Sequence, residues 1–213
     1  MRSLYLIVIA VVLTALACAD PAANKPKAQT TEPTTTNTVS SPSDLKSSGT
    51  ALAITPENSK IEFTGSKVTG KHDGGFKSFK GIIDLVGDKA EASKVAVEIE
   101  MASVFADVDK LTTHLQTADF FEIEKYPRAT FASTKIEPAT GGGHTVTGDL
   151  ELRGVKKSVT FPATITIKPD AVEVRAEFSI NRKDFGIAYA GKADDLIRDD
   201  VVIRLDLNSP RKK

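Results

Sequence analysis

Four groups of side chains in this 213-residue chain have types and spacings that could do chemistry. Cys18, the sole cysteine, follows the small-residue run Thr14-Ala15-Leu16-Ala17. There an exported chain is cut and its new terminal thiol acylated, and no second cysteine competes for it as a disulfide partner. His72, His114 and His144 are far apart and lack metal-ligand spacing, so no metal site is expected. Asp194-Asp195 and Asp199-Asp200 flank Leu196-Ile197-Arg198. A calcium loop would need the glycine and closing glutamate that are missing here, which leaves a solvated hairpin pairing locally with Arg198. Arg182 and Asp184 stand at a strand end, where hydrogen bonds from such residues fix a turn. There is no Gly-x-Ser-x-Gly, no glycine-rich phosphate loop and no second cysteine. The chain therefore reads as a binder without a cofactor, not as an enzyme.

The segment before Cys18 has one early charge, Arg2, and an apolar run from Leu4 to Leu13. That is the layout of a secretory signal, and it is too short to span a bilayer. With Ala17 and Cys18 it resembles a lipobox, although Ala15 stands where leucine is usual. Residues 1–17 are read as a lipoprotein signal peptide and Cys18 as the lipidation site. Multiple acyl chains on one residue anchor a protein firmly. The expected location is the cell envelope, facing the periplasm. By resemblance to enterobacterial sorting, Ala19 in place of Asp after the cysteine favours the outer membrane, in an organism that has one.

Residues 18–50 read as a disordered tether. Half of residues 19–50 are Ser, Thr or Pro, and Val39 and Leu45 are their only large apolar side chains. Such a composition buries too little surface to offset the entropy of ordering. A coil of this length would hold a domain roughly 30 Å from its anchor.

Residues 51–213 form one domain. Basic and acidic residues balance at 28 each, which gives no footprint for nucleic acid. Period-two alternation dominates: Val95, Val97, Ile99 and Met101; Val159, Phe161, Ala163, Ile165 and Ile167; Val172, Val174, Ala176, Phe178 and Ile180; Val201, Ile203, Leu205 and Leu207. Each set alternates mainly with polar residues, as in strands with one wet and one buried face. About eight strands follow, near 60–68, 76–86, 93–102, 128–137, 144–153, 157–168, 171–181 and 200–208. Residues 107–126 break the pattern with helical spacing at Leu111 and Leu115, where Asp107 or Asp109 would cap the start and Pro127 marks the end. The fold class is all-β, an eight-stranded antiparallel lipocalin-like barrel with a short helical insertion. Closure removes sheet edges and leaves an interior for side chains or one slender ligand. A two-sheet sandwich is the competing architecture.

Several segments, taken in order, are similar to the YceI-like family of exported polyisoprenoid-binding proteins. They are Ser59-Lys60-Ile61-Glu62-Phe63, Gly75-Phe76-Lys77-Ser78-Phe79-Lys80-Gly81 and His114-Leu115-Gln116-Thr117-Ala118-Asp119-Phe120-Phe121. Next come Glu124-Lys125-Tyr126-Pro127, Thr130-Phe131-Ala132-Ser133-Thr134, Gly148-Asp149-Leu150, Arg153-Gly154-Val155-Lys156-Lys157 and Asn181-Arg182-Lys183-Asp184-Phe185-Gly186-Ile187. The resemblance implies a barrel with a helical flap and an apolar tunnel holding a polyisoprenoid tail. Lining candidates are Phe63, Phe76, Phe79, Val97, Ile99, Phe120, Phe121, Phe131, Leu150, Phe161, Phe178 and Phe185; for any one of them plain core packing is the competing role. Many members carry a histidine a few residues beyond the first-strand Phe, and the nearest equivalent here is about Lys67. Lys67, His114 and Arg182 are the candidate headgroup contacts. The glycine-rich stretch Val68–Gly75 reads as a loop at one mouth.

Three functions stay open at this level: a carrier or store for a polyisoprenoid or similar apolar molecule, a scavenger of hydrophobic foreign compounds such as antibiotics, and an enzyme using His114 on a bound lipid. The carrier ranks first. The expected partners are that apolar ligand and a membrane, reached through the lipid anchor; a homodimer is left open.

Overall fold

The computed structural model describes residues 20–33 and 42–211, so Cys18 and the signal segment lie outside it. The alternating segments form strands throughout. In chain order they are β1 (Gln29–Thr31), β2 (Thr50–Ile54), β3 (Lys60–Lys67), β4 (Gly70–Phe76), β5 (Phe79–Val86), β6 (Lys89–Glu100) and β7 (Val104–Ala106). The helix α1 (Asp109–Leu115) follows. Then come β8 (Arg128–Pro138), β9 (His144–Leu152), β10 (Val155–Ile167), β11 (Ala171–Asn181), β12 (Gly191–Lys192), β13 (Asp195–Leu196) and β14 (Asp200–Pro210).

The fold is all-β and antiparallel. Among the described residues the main sheet runs β2-β5-β6-β8-β9-β10-β11-β14-β3-β4-β7, with β1 added beside β10, and β12 and β13 pair as a separate hairpin. Twelve strands replace the expected eight. The sheet curls strongly without closing by hydrogen bonds: β2 lies against β14 but does not pair with it. The expected barrel is thus a curled half-barrel.

Two local expectations change. The stretch read as a loop at the mouth is strand β4, and only its turn, Lys67 to Gly70, lies at the rim. Its glycines serve close approach between neighbours. A Cβ on Gly74 would stand 2.4 Å from the Phe105 carbonyl oxygen and 2.6 Å from the Phe63 ring. In the helical insertion, α1 ends at Leu115 and turns fill residues 116–126. Val108 is its N-cap, with no side-chain bond, because Asp107 is bonded to His72 instead.

The largest correction concerns residues 18–50. Over the residues described, this segment is ordered. Strands β10 and β11 pair only over Thr164–Ile167 and Val172–Arg175, then diverge. β1 fills the slot between them: Gln29, Thr30 and Thr31 pair with Thr160, Val159 and Ser158, while Lys27 bridges Ser179 on the other side. The Ala28 N–H donates to the Ser179 carbonyl at 2.8 Å, and the Ser179 N–H to that of Pro26 at 2.9 Å. Upstream, Lys25 meets Glu177 at 2.6 Å and Asp20 meets Arg198 at 3.3 Å. Ala22 and Ala28 are buried. Composition misses such a segment because it is held by the sheet's backbone groups and small side chains rather than by apolar bulk.

The end of the same segment is also pinned. Asp84 in β5 is 0 % exposed. It accepts from the Ser48 and Gly49 N–H groups at 2.8 Å each, from the Ser47 hydroxyl at 2.7 Å and from the Ser48 hydroxyl at 3.2 Å. Burial alone would raise its pKa, but these bonds to the carboxylate outweigh burial and hold it below the ordinary value.

Candidate functional site

Cross-strand register decides which side chains share the concave face. Gly81 pairs with Val97, Val97 with Phe131, Phe131 with Leu150, and Leu150 with Lys157, giving one row across five strands. The neighbouring row runs Phe79, Ile99, Ala129. On the opposite wall Phe178 pairs with Ile203 and Ile203 with Phe63. All twelve lining candidates therefore fall in two apolar clusters. The main one buries Phe79, Val97, Phe161, Phe178 and Phe185, with Phe76, Ile99, Phe131 and Leu150 packed against it. The second buries Phe63 and Phe120, with Phe76 and Phe121 against it. Phe76 belongs to both, 5.9 Å from the Phe63 ring and 6.1 Å from Phe121.

In the middle of the main cluster Phe161 and Phe178 stack at 4.2 Å, and Phe131 leans on Phe161 at 5.8 Å. Phe161 and Phe178 are thus each other's partners. Phe131, Leu150 and Ile99 differ: they face the same concavity but keep part of their surface exposed.

The second cluster caps one end. Leu115 of α1, Phe120 and Ile187 close over Phe63. His114 meets the Phe120 ring at 5.0 Å and the Tyr189 ring at 5.2 Å, both edge-on, and its Nε2 lies 2.7 Å from Asp119. Two arginines tie this cap down. Arg182 is buried and donates to the carbonyls of Ile187 (2.7 Å), Arg198 (3.1 Å) and Ile197 (3.3 Å), and to Asp199 (3.3 Å). Burial lowers its pKa and Asp199 partly restores it. Arg153 donates to the carbonyls of Gly186 and Ala118 and to Glu122.

The three headgroup candidates thus part company. Arg182 is committed to fixing the turn at Arg182–Phe185 and the loop that follows. His114 stands in the cap among aromatic rings. Lys67 is at the rim, bonded to Asp195 of β13, whose carboxylate also accepts from the Thr69 N–H and hydroxyl. The bond to Lys67, aided by Thr69, pulls the Asp195 pKa down. The acidic pairs do not pair with Arg198 as expected: Asp195 takes Lys67, Asp199 takes Arg182 and Lys183, Asp200 takes Lys27, and Arg198 takes Asp20. The histidines stay apart, His72 beside Asp107, His114 beside Asp119 and His144 near Glu91.

Sequence reasoning missed Lys157. It sits on the concave-face row next to Leu150 and forms an ion pair with Glu32, which follows β1. The signal was present: extending the alternation of Val159 and Phe161 back through Lys157 to Val155 puts the lysine on the apolar face. Two surface cavities lie away from the row through Val97, Phe131 and Leu150. One of about 340 Å³ is lined by groups such as Lys60, Glu173, Arg175 and Asp206, and one of about 400 Å³ by Glu62, Asp73, Asp107 and Arg204 around Phe105.

The sequence model of the YceI-like domain matches residues 52–209. The chain belongs to the YceI-like family. A UPF0312 protein of Pseudomonas putida (strain W619) is 34% identical over 136 residues, covering 61% of this chain and 71% of that protein. BcnA of Burkholderia cenocepacia superposes with a TM-score of 0.65 at 25% identity, over 73% of this YceI-like chain and 98% of BcnA. The YCEI protein of Campylobacter jejuni gives 0.55 at 28% identity, over 66% and 85%. A polyisoprenoid binding domain from Saccharophagus degradans implicated in plant cell wall breakdown gives 0.61 at 18% identity, over 76% and 98%, and shares the fold. The YceI-like match begins at Leu52, so the slot-filling segment before β2 lies outside it.

Proposed function

We propose that this protein is an envelope protein, anchored through Cys18, that holds a polyisoprenoid or similarly long apolar molecule within its curled sheet as a carrier or store. What carries the reading is the pair of apolar clusters joined at Phe76, with Phe131, Leu150 and Ile99 part-exposed on the concave face. A hydrocarbon tail laid along that row gains roughly 25 cal/mol for each Å² of apolar surface it removes from water. It needs no catalytic group. The Phe161–Phe178 stack occupies the centre, so the tail runs beside it rather than through it. The polyisoprenoid binding domain that shares this fold supports the ligand class.

The test is to produce the full chain in an envelope-bearing bacterial host, extract it with organic solvent and identify what co-purifies by mass spectrometry. One long apolar molecule per chain is the expected result. Replacing Leu150 with Asp should then reduce its occupancy severalfold while the circular dichroism stays that of a β protein. A fully folded protein free of lipid would sink the carrier reading.

A further inference from the structure

The described residues leave three large hydrophobic side chains exposed: Val68 at 55 %, Leu196 at 49 % and Val108 at 45 %. Scattered single apolar residues are ordinary on a surface. These three are not scattered. The Val68 N–H donates to the Leu196 carbonyl at 3.2 Å, so the β3–β4 turn meets strand β13 at the base of its hairpin. Val108 follows Asp107, whose carboxylate lies 2.9 Å from His72 of β4 and whose N–H donates to the Asp73 carbonyl. All three therefore stand on the rim around the cap, and the far turns at residues 139–143 and 168–170 carry none.

The charges of this rim largely answer one another. Lys67 is bonded to Asp195, His72 to Asp107, and Lys71 lies 3.5 Å from Asp73. A rim that answers most of its charges and exposes Val68, Val108 and Leu196 beside them fits the boundary between headgroups and acyl chains, where apolar side chains sink and polar ones stay wet.

The path of the chain identifies what the rim meets. Asp20, the first residue described, is held by Arg198, two residues from Leu196. The segment that follows is fixed by Lys25–Glu177 and by the β1 slot, so this point of departure is set by the folded domain. Beyond it lie Ala19 and Cys18, the residue expected to carry the acyl chains once residues 1–17 are cut away. Two residues of chain reach at most about 7 Å from Asp20 to Cys18. The segment expected to act as a long spacer is instead held against the domain, so an anchor on Cys18 would lie within that reach of Asp20, on the side of Arg198 and Leu196.

We propose that the rim formed by Val68, Val108 and Leu196 docks on a lipid bilayer, with the cap end of the curled sheet facing the membrane. The inference rests on the membrane-attached part of the proposed function and gives it an orientation: ligand entry through the cap would open onto lipid and not onto the aqueous periplasm.

The chain has no tryptophan, so one can be placed as a sole reporter. The full chain is prepared as Val68→Trp, Leu196→Trp and, at the far end, Thr140→Trp. Each is mixed with phosphatidylethanolamine–phosphatidylglycerol vesicles carrying brominated acyl chains, which quench only tryptophans that reach them. Quenching severalfold stronger at positions 68 and 196 than at 140, with a blue-shifted emission, is the expected result. Adding Val68→Asp to the Leu196→Trp protein should weaken the quenching. Equal quenching at both ends, or none at the rim, overturns the proposal, because a barrel hanging free of the bilayer gives that outcome. Lipid content measured on the same proteins reports the carrier reading separately, so a failure of orientation is not mistaken for a failure of binding.

Discussion

The middle of the curled sheet and its capped end are both apolar, yet they are held in different ways. In the middle, rings pack on rings: Phe161 on Phe178, Phe131 on Phe161, with Ile54, Ile83 and Val159 buried around them. At the cap, Phe120, Ile187 and Leu115 cover Phe63, but what positions them is two arginine side chains bonded to loop carbonyls. The first region is stabilised by area and close packing. The second is a cover of turns and one short helix whose place depends on a few directional bonds. A binding protein gains from that division, because the cover can yield while the wall stays intact.

The largest effect is expected where packing is tightest. Phe161→Ala removes a fully packed ring and should cost about 3–5 kcal/mol in a denaturant titration. A loss under about 1 kcal/mol would mean that the centre is roomier than its ring contacts indicate, and would put the tail path through it.

Arg182 comes next. Replacing it with Met keeps the volume but leaves the carbonyls of Ile187, Ile197 and Arg198 without their donor, at about 1–3 kcal/mol for buried polar groups left unpaired. The loss should concentrate in the loop from Ile187 to Asp199. An equal rise in exchange at the amides of β9 and β10 would show that cap and wall open together, and the distinction would fall.

Asp84 sharpens the comparison from the wall's side. Its native pKa is depressed, so the stability it contributes is fully present above the unfolded value, about 3.9, and is lost as pH falls through the native value. Wild-type protein should therefore lose stability steeply below about pH 4. Asp84→Asn should be less stable at neutral pH, by about 1–2 kcal/mol, and flatter in acid. Identical acid profiles for the two proteins would remove Asp84 as the cause.

These contrasts also mark what could be read from the chain. Much of the wall was legible because its strands alternate cleanly, so Val97, Phe161 and Phe178 could be placed on the buried face of their own strands before any coordinates, whereas Phe131 came only with the family resemblance. β4 was not, since Gly74 and Gly75 look like loop residues when the rings of Phe63 and Phe105 that crowd them are still unplaced. The β1 segment left no apolar signal, because its partners are the backbone groups of Ser158, Thr160 and Ser179, exposed only where β10 and β11 diverge. Arg182 was legible as a turn-fixing residue and Lys157 by parity alone. Hydrogen-bond commitment, which separates Arg182 from Lys67 and His114, is a property of three-dimensional proximity that spacing does not carry.

The smallest expected effect is the most discriminating. Arg153 joins the turn after α1, through Ala118 and Glu122, to Gly186 beyond Phe185. It is partly exposed, so Arg153→Ala should cost only about 1 kcal/mol overall. If the cap opens as its own unit, that cost falls almost wholly on it. The Phe121 N–H, which donates to the Leu115 carbonyl at 3.0 Å, and the Ile123 N–H, which donates to that of Gln116 at 3.1 Å, should exchange roughly fivefold faster. Amides of β6 and β10 in the wall should keep their wild-type rates, and a bound apolar molecule should leave faster by a similar factor. Uniform acceleration across the sheet would instead make cap and wall one cooperative body, and ligand exchange would then require loosening the wall itself.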